Sequence, residues 1–234
     1  KTRLSEFSNP RKAGIIAVDL NEGDFLVGAA ITDGQHDVML FSDAGKAVRF
    51  DENDVRPMGR TARGVRGMNL GDGHRVIAML VAPAEAAEGT EAAVVDANGN
   101  PIPSSVLTAT ENGYGKRTPI VEYTRHGRGT KGMIAIQTSE RNGKVVAAAL
   151  VSPEDQIMLI TTGGVLVRTR VSEIREMGRA TQGVTLINVD EGTRLSGLQR
   201  IAESDSDEEG DDANDGEVSS DPVSGSSSDV AGDA

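Results

Sequence analysis

The feature that most constrains this chain is a unit of about 50 residues that recurs along it. Three arginines are each followed 15 positions later by a glycine, in the pairs Arg49 and Gly64, Arg117 and Gly132, and Arg168 and Gly183. With Gly14 included, the glycines are spaced 50, 68 and 51 positions apart. A period in this range indicates a propeller-like array, in which each unit packs against its neighbours.

Within each unit the apolar residues form short runs of the kind that build β-strands. The runs are VMLFS, KAVRFD, VRGMNL and RVIAMLV in the first complete unit, SVLTAT, GKRTPIVEY, MIAIQTS and KVVAAALV in the second, and IMLIT, VLVRTRV, GVTLINV and RLSGLQRI in the third. Turn residues separate the first two runs, at Asp43–Gly45, Glu111–Gly113 and Thr162–Gly164. No segment shows a sustained helical stripe. The sequence therefore predicts an all-β fold of four-stranded blades.

The repeat lengths predict the domain organisation. Complete blades are expected at about 37–82, 104–152 and 153–202, and an inserted surface loop at about 83–103 accounts for the longer middle interval. Residues 1–36 contain KTRL, IIAVDL and FLVGAAIT, which are predicted as the second to fourth strands of a partial blade. A partial blade leaves an unpaired sheet edge. This edge and the abrupt start without Met lead us to expect a fragment of a longer protein.

Positive charge is concentrated at the same place in every unit, after the second strand and before the glycine. A single arginine in a loop is usually only solvated, but a cluster that recurs in one register places cations along one face of the array. The candidate contact residues are Lys46, Arg49, Arg56, Arg60, Arg63, Arg66, Lys116, Arg117, Arg125, Arg128, Lys131, Arg168, Arg170, Arg175 and Arg179. Nearby glycines let the backbone approach a bulky anion. The pattern predicts a continuous basic stripe.

Such a stripe suits the backbone of duplex DNA better than the bases of a single strand. Only 3% of the residues are aromatic and none is Trp, so stacking platforms for unpaired bases are scarce. No recognition helix is apparent. Contacts would be made mainly to phosphates, with preference set by how easily the DNA bends. If the protein neutralises about 6–10 phosphates, its affinity for DNA should fall by about 10³–10⁵ when the salt concentration rises from 50 to 200 mM.

The charge of the chain is divided unevenly. Residues 203–234 carry 12 acidic residues and no Lys or Arg, so residues 1–202 hold 24 acidic and 24 basic residues and are neutral overall, although the whole chain carries −12. The tail is rich in Ser, Asp and Gly, and its composition predicts disorder. It is either a solubilising end or an intramolecular mimic of phosphate. In the second case, deleting it would strengthen DNA binding.

The sequence offers no candidate for catalysis or for a resident cofactor. There is no Cys, which excludes disulfides and thiolate metal sites, and no phosphate-binding loop motif. His36, His74 and His126 lie in different units without a shared motif. Tyr114 and Tyr123 lie in strand-like sequence, where packing or loop anchoring is the expected role. No apolar run approaches the roughly 18–20 residues that span a membrane. We therefore expect no catalytic residue and no metal ligand.

Several long strings in the repeats resemble the C-terminal domain of the bacterial DNA gyrase A subunit. The strings are VMLFSDAGKAVRF, ENGYGKRT, DQIMLITTGGVLVRTRVSEI and MGRATQGV, and the resemblance covers essentially residues 1–202. It implies a β-pinwheel, a propeller-like disc whose blades exchange strands and whose basic rim bends DNA. It further implies a cytoplasmic, nucleoid-associated bacterial protein. The partners implied are duplex DNA, the B subunit, and the rest of the A subunit. ATP and Mg²⁺ would be used by the holoenzyme and not by this chain.

Two features of the family are missing from this sequence. The basic Gln-Arg-Arg-Gly-Gly-Lys-Gly box is absent together with most of the first two blades, so we expect a fragment that lacks the first blades. The breakage–reunion portion with its catalytic tyrosine is absent too, so neither Tyr114 nor Tyr123 inherits that role. The resemblance therefore implies DNA binding without topoisomerase activity by this chain alone. Two alternatives are a propeller-type protein-interaction module and the related domain of the topoisomerase IV A subunit. The first would present an apolar or mixed-charge ring face.

Overall fold

The computed structural model describes residues 1–84 and 104–201. In these residues the secondary structure consists of β-strands and short 3-10 turns, which confirms the all-β prediction. Nearly all of the inserted loop predicted at 83–103, and the tail predicted at 203–234, lie outside the described residues. No helix in the described part of the chain is long and apolar enough to cross a lipid bilayer.

Each complete unit begins with a hairpin that ends in a 3-10 turn. The hairpin strands are β1 His36–Ser42 with β2 Lys46–Asp51, β4 Ser105–Thr110 with β5 Tyr114–Pro119, and β8 Gln156–Thr161 with β9 Leu166–Arg170. The turns that follow are Glu52–Asp54, Ile120–Glu122 and Val171–Glu173. These hairpins match the predicted runs because both strands are local in sequence and share one tight turn.

The remaining strands of each unit lie in two different sheets. The long returning strands β3 Val76–Pro83, β7 Val145–Val151 and β11 Leu195–Ile201 pair with the first strand of their own unit. The short strands β6 Met133–Ile134 and β10 Val184–Thr185 instead pair with the second strand of the preceding unit. The sheet orders are β3-β1-β2-β6, β10-β5-β4-β7 and β11-β8-β9. Successive units therefore exchange a strand.

A glycine at the hairpin turn makes each exchange possible. The carbonyl oxygen of Gly45 accepts from the N–H of Ala135 at 2.8 Å, and that of Gly113 accepts from the N–H of Leu186 at 2.8 Å. Both glycines have positive φ, +74° and +80°. A Cβ on Gly113 would overlap the carbonyl oxygen of Ile187, so any side chain there would push the next unit away.

The hydrophobic core also crosses the boundaries between units. In one cluster Met39 and Phe41 of the first unit pack with Val106 and Tyr123 of the second. The rings of Phe41 and Tyr123 meet edge to face, with centroids 5.9 Å apart. The prediction that Tyr123 has a packing role is confirmed, since only 1% of this residue is exposed. Since aromatic rings bury large apolar areas, this contact stabilises the boundary between the first and second units.

The structure corrects the prediction of strands in residues 1–33. KTRL, IIAVDL and FLVGAAIT form no strand, and the only regular element is a 3-10 turn at Leu4–Phe7. Phe25 is 85% exposed and Ile31 is 78% exposed. A strand forms only when a neighbour completes its backbone hydrogen bonds, and no described strand pairs with these residues. The strand predicted for VRGMNL is also wrong, since this run contributes only an isolated bridge between Met68 and Thr130.

Candidate nucleic-acid interface

Two of the predicted contact residues, Arg49 and Lys116, are buried in the fold. Arg49 is 1% exposed, and its Nε donates to Asp37 Oδ2 at 2.7 Å. Its Nη1 donates to the carbonyl oxygens of Ile120 and Tyr123, at 3.1 and 3.2 Å. The repeat pattern predicts this arginine on the surface, because a position in the repeat does not show whether a neighbouring unit packs over the side chain. The structure corrects that placement, and Arg49 is a clamp between the first and second units.

Lys116 is the second exception. Its ammonium is fully enclosed and donates to the carbonyl oxygens of Gly178 and Arg179 in the third unit. Burial lowers the pKa of Lys116 to about 8, with the Glu122 carboxylate opposing the shift and the Arg179 guanidinium adding to it. An ammonium held in this way is not available to a phosphate.

A second group of predicted residues binds other parts of the protein from the surface or half-buried positions. Arg117 donates to the carbonyl oxygen of Ile174 at 2.7 Å. Three residues at a repeated position donate to carbonyl oxygens of the preceding unit, namely Arg60, Arg128 and Arg179. Three more bind side chains, Arg63 to Asp19 at 2.9 Å, Arg125 to Asp37 at 2.8 Å and Arg168 to Gln156 at 2.5 Å. The guanidinium groups of these residues lie near the surface, but the protein itself already accepts some of their hydrogen bonds.

The other six predicted residues keep their charge free. Their side chains make no hydrogen bond or ion pair with any described residue, and five of the six residues are exposed while Lys46 is half-buried. They are Lys46, Arg56, Arg66, Lys131, Arg170 and Arg175. Each of the three complete units supplies at least one of them. A cation without a protein partner can give all its donors to a phosphate.

Two neighbouring grooves bring some of the free cations together. One groove of about 300 Å³ is lined by Lys46, His74 and Lys131, among others. A second groove of about 400 Å³ is lined by His126 and Lys131, together with Gly127, Thr130 and Gly132. Lys131 lies on both grooves and therefore joins them. The repeat pattern does not place His74 or His126 at the interface. The basic sequence Arg-His-Gly-Arg could have indicated His126.

The structure also shows a set of acid–base contacts at the unit boundaries that the sequence reasoning missed. The Asp43 carboxylate lies 3.4 Å from Lys144 Nζ, and Glu111 lies 2.9 Å from Arg194 Nη1 at the equivalent place one unit later. Burial alone would raise the pKa of Asp43. The N–H of Arg75 and the side chains of His74 and Lys144 outweigh it and leave the pKa below its ordinary value. In the third unit the residue equivalent to Asp43 and Glu111 is the uncharged Thr162. Lys144 and Arg194 therefore stabilise the contacts between successive units.

One group of metal-ligand type occurs in the described residues, formed by Asp33, His36 and Glu52. Burial would raise the pKa of Glu52, but Lys1, Thr32 and the N–H groups of Gly34 and His36 donate to it and lower that pKa to about 2. The Lys1 ammonium lies 2.8 Å from Glu52 Oε2. Since a cation and three further donors already satisfy this carboxylate, the group holds the loop that precedes β1.

Exchanged strands between successive sheets, with basic loops at a repeated position, define the class of propeller-type repeat domains. The sequence profile described as "DNA gyrase C-terminal domain, beta-propeller" matches residues 1–33, 36–83, 104–152 and 155–202. The chain belongs to this family.

Individual relatives agree with that assignment. The DNA gyrase A subunit of Salmonella typhimurium is 52% identical over 218 residues, which are 93% of this chain and 23% of the relative. The same subunit of Escherichia coli is 49% identical over 203 residues, which are 87% of this chain and 21% of the relative. The chain thus spans about a fifth to a quarter of the length of these relatives and resembles their C-terminal part.

Solved structures show the same fold. A DNA gyrase A C-terminal domain superposes with a TM-score of 0.68 at 28% identity, covering 82% of this chain and 59% of that one. The C-terminal domain of a DNA topoisomerase IV superposes with a TM-score of 0.73 at 22% identity, covering 86% of this chain and 57% of that one. The second likeness shows the fold alone. The β-pinwheel prediction is confirmed.

Proposed function

We propose that this chain binds duplex DNA through the free cations of its repeated loops and bends or wraps the duplex along them. The proposal rests on the cations without a described protein partner that each complete unit presents between its hairpin and the glycine that follows, such as Arg56, Lys131 and Arg175. Phosphates follow one another along a duplex at regular intervals, so a repeated cation fits a repeated anion.

The likeness to gyrase subunits suggests that this binding serves a larger enzyme. We propose that the chain acts as the C-terminal part of a DNA gyrase A subunit in the bacterial cytoplasm, and that it supports ATP-dependent negative supercoiling together with the other parts of the A and B subunits. Among the superposed solved structures the gyrase A C-terminal domain is 28% identical and the topoisomerase IV domain 22%, and the sequence relatives named as the gyrase A subunit are 49–52% identical. The higher identity favours gyrase over topoisomerase IV.

The charged loops also favour DNA over a protein partner. A protein-interaction module of this shape would present an apolar or mixed-charge face, because the core of a protein interface is depleted in charged residues. In this chain the loops between the hairpin and the exchanged strand instead carry Arg56, Arg66, Lys131 and Arg175 without acidic partners among the described residues.

A mobility-shift titration with duplexes of increasing length, at 50 and 200 mM salt, tests the proposal. We expect affinity to rise with length until the duplex passes all three units, and to fall by about 10³ or more between the two salt concentrations if six phosphates are contacted. Weak dependence on base sequence is expected, since phosphate contacts carry no sequence information. Binding that is absent, or that does not respond to salt, would contradict the proposal.

A further inference from the structure

Three arginines that sequence reasoning assigned to DNA share a contact with the protein itself. Arg60, Arg128 and Arg179 occupy equivalent positions, 68 and 51 residues apart. Their Nη1 atoms donate to the carbonyl oxygens of residues that are also equivalent, Ile16, Arg66 and Ile134, at 2.5, 3.1 and 3.0 Å. Each hydrogen bond runs from one unit to the unit before it. The contact is therefore a repeated feature of the boundary.

The loop that carries each arginine is fixed to the preceding unit by further bonds. Arg128 Nε donates to the carbonyl oxygen of Asp54 at 3.1 Å, and the N–H of Gly129 donates to the carbonyl oxygen of Gly67 at 2.6 Å. The N–H of Arg179 donates to Glu122 Oε2 at 3.0 Å. Asp54 and Glu122 are equivalent residues, at the end of the 3-10 turn of successive units. Both loops are thus anchored at the same place.

The free cations lie close in sequence to these anchors. Lys131 follows Arg128 by three residues, Arg56 and Arg66 flank Arg60, and Arg175 precedes Arg179 by four residues. Because the anchored arginine fixes the loop against the preceding unit, it also fixes where the free cation beside it stands relative to the previous unit's cations. Ordered spacing is what a series of phosphate contacts requires.

We propose that Arg60, Arg128 and Arg179 are positioning residues that set the spacing of the cation loops from unit to unit, and that they are not themselves the phosphate contacts. This inference rests on the proposed function. A guanidinium spreads its donors over a planar fork, so Arg128 can reach the carbonyl oxygens of Asp54 and Arg66 at once. The single ammonium of a lysine keeps the charge but lacks this fork, so replacing arginine by lysine separates the two roles.

The test compares R128K with R75K in the whole chain. Arg75 is exposed in the preceding unit, its side chain has no described partner and it is not among the proposed phosphate contacts, so it is the matched control. Binding is measured on a short duplex of about 10 base pairs, which covers a single loop, and on a long one of about 40 base pairs. For R128K we expect affinity for the long duplex to fall about tenfold, while short-duplex affinity and the salt dependence stay unchanged. For R75K we expect no change in either duplex.

Two results would overturn the proposal. One is that R128K weakens the short and the long duplex equally, which is the behaviour of a lost phosphate contact. The other is that R128K changes neither. The variant R179K repeats the comparison at the next boundary and guards against a fault in folding at a single site.

A second measurement does not depend on DNA. Amide hydrogen exchange of Gly129 reports directly on the bond to Gly67. We expect R128K to accelerate exchange at Gly129 about tenfold and R75K to leave it unchanged. Unchanged exchange in R128K would sink the inference even if the chain binds DNA. Faster exchange in a chain that does not bind duplex would uphold the anchoring role and contradict only the proposed function.

Discussion

The guanidinium of Arg49 donates to the carbonyl oxygen of Tyr123 at 3.2 Å, and this bond joins the second strand of one unit to the turn of the next. The equivalent Arg117 makes the same kind of bond to Ile174 at 2.7 Å. Arg168, the third member of the series, instead binds Gln156 in its own hairpin and is exposed. The same position in the repeat is therefore buried at Arg49, where the next described unit packs over it, and exposed at Arg168, where no described unit does.

Replacing Arg49 by methionine should lower the free energy of unfolding by about 3 kcal/mol, because Asp37 then loses one of its two arginine partners while it remains buried. The matched change R168M should cost less than about 1 kcal/mol, since exposed pairs contribute little. Urea unfolding of both variants measures the difference. Equal losses for the two variants would mean that Arg49 is not a clamp.

The strand exchange predicts a difference between two glycines at the same turn position. Gly113 and Gly164 have φ values of +80° and +81°, but a Cβ would meet the next unit only at Gly113 and open space at Gly164. G164A should therefore cost about 1–2 kcal/mol for the left-handed backbone alone. G113A should cost at least about 2 kcal/mol more, because the backbone of the third unit must move. Thermal unfolding of the pair tests this, and similar losses would argue against tight exchange.

Lys116 predicts how stability depends on pH. Its folded pKa is about 8, below the 10.5 of an ordinary lysine. Between these values the unfolded chain still holds the proton that the folded chain has released, so raising the pH favours the folded state. Relative to K116M, the wild-type free energy of unfolding should therefore rise by roughly 1 kcal/mol per pH unit between about pH 8 and 9.5. Urea titrations of both proteins at several pH values check it, and parallel curves would contradict a buried ammonium.

The parts of the fold that the sequence predicts well are local. The runs KAVRFD and SVLTAT coincide with β2 and β4, because alternation and a tight turn are written in a few neighbouring residues. The runs MIAIQTS and GVTLINV shrink to two-residue strands, since their partner lies in another unit and its length is set there. Apolar periodicity carries no information about a partner so far along the chain.

The same limit applies to the candidate interface, because the sequence predicts local features but not burial by a neighbouring unit. The repeat pattern finds loops that carry free cations, such as Arg66 and Lys131, because composition and register are both local. It cannot tell Arg49 from Arg168, since burial depends on the neighbouring unit that packs over the side chain. For the same reason Lys116 looked like a surface cation, although Gly178 and Arg179 enclose its ammonium.

We infer that the free cations, and not all the basic residues, contact phosphate. The most direct test is the slope of log K against log salt concentration for duplex binding by the wild-type chain and by a variant in which all six are changed to glutamine. The six positions are Lys46, Arg56, Arg66, Lys131, Arg170 and Arg175. Since none of their side chains has a described protein partner, the variant should keep its fold. We expect the slope to weaken by about 5, close to 0.9 for each lost contact. An unchanged slope in a folded variant would contradict it.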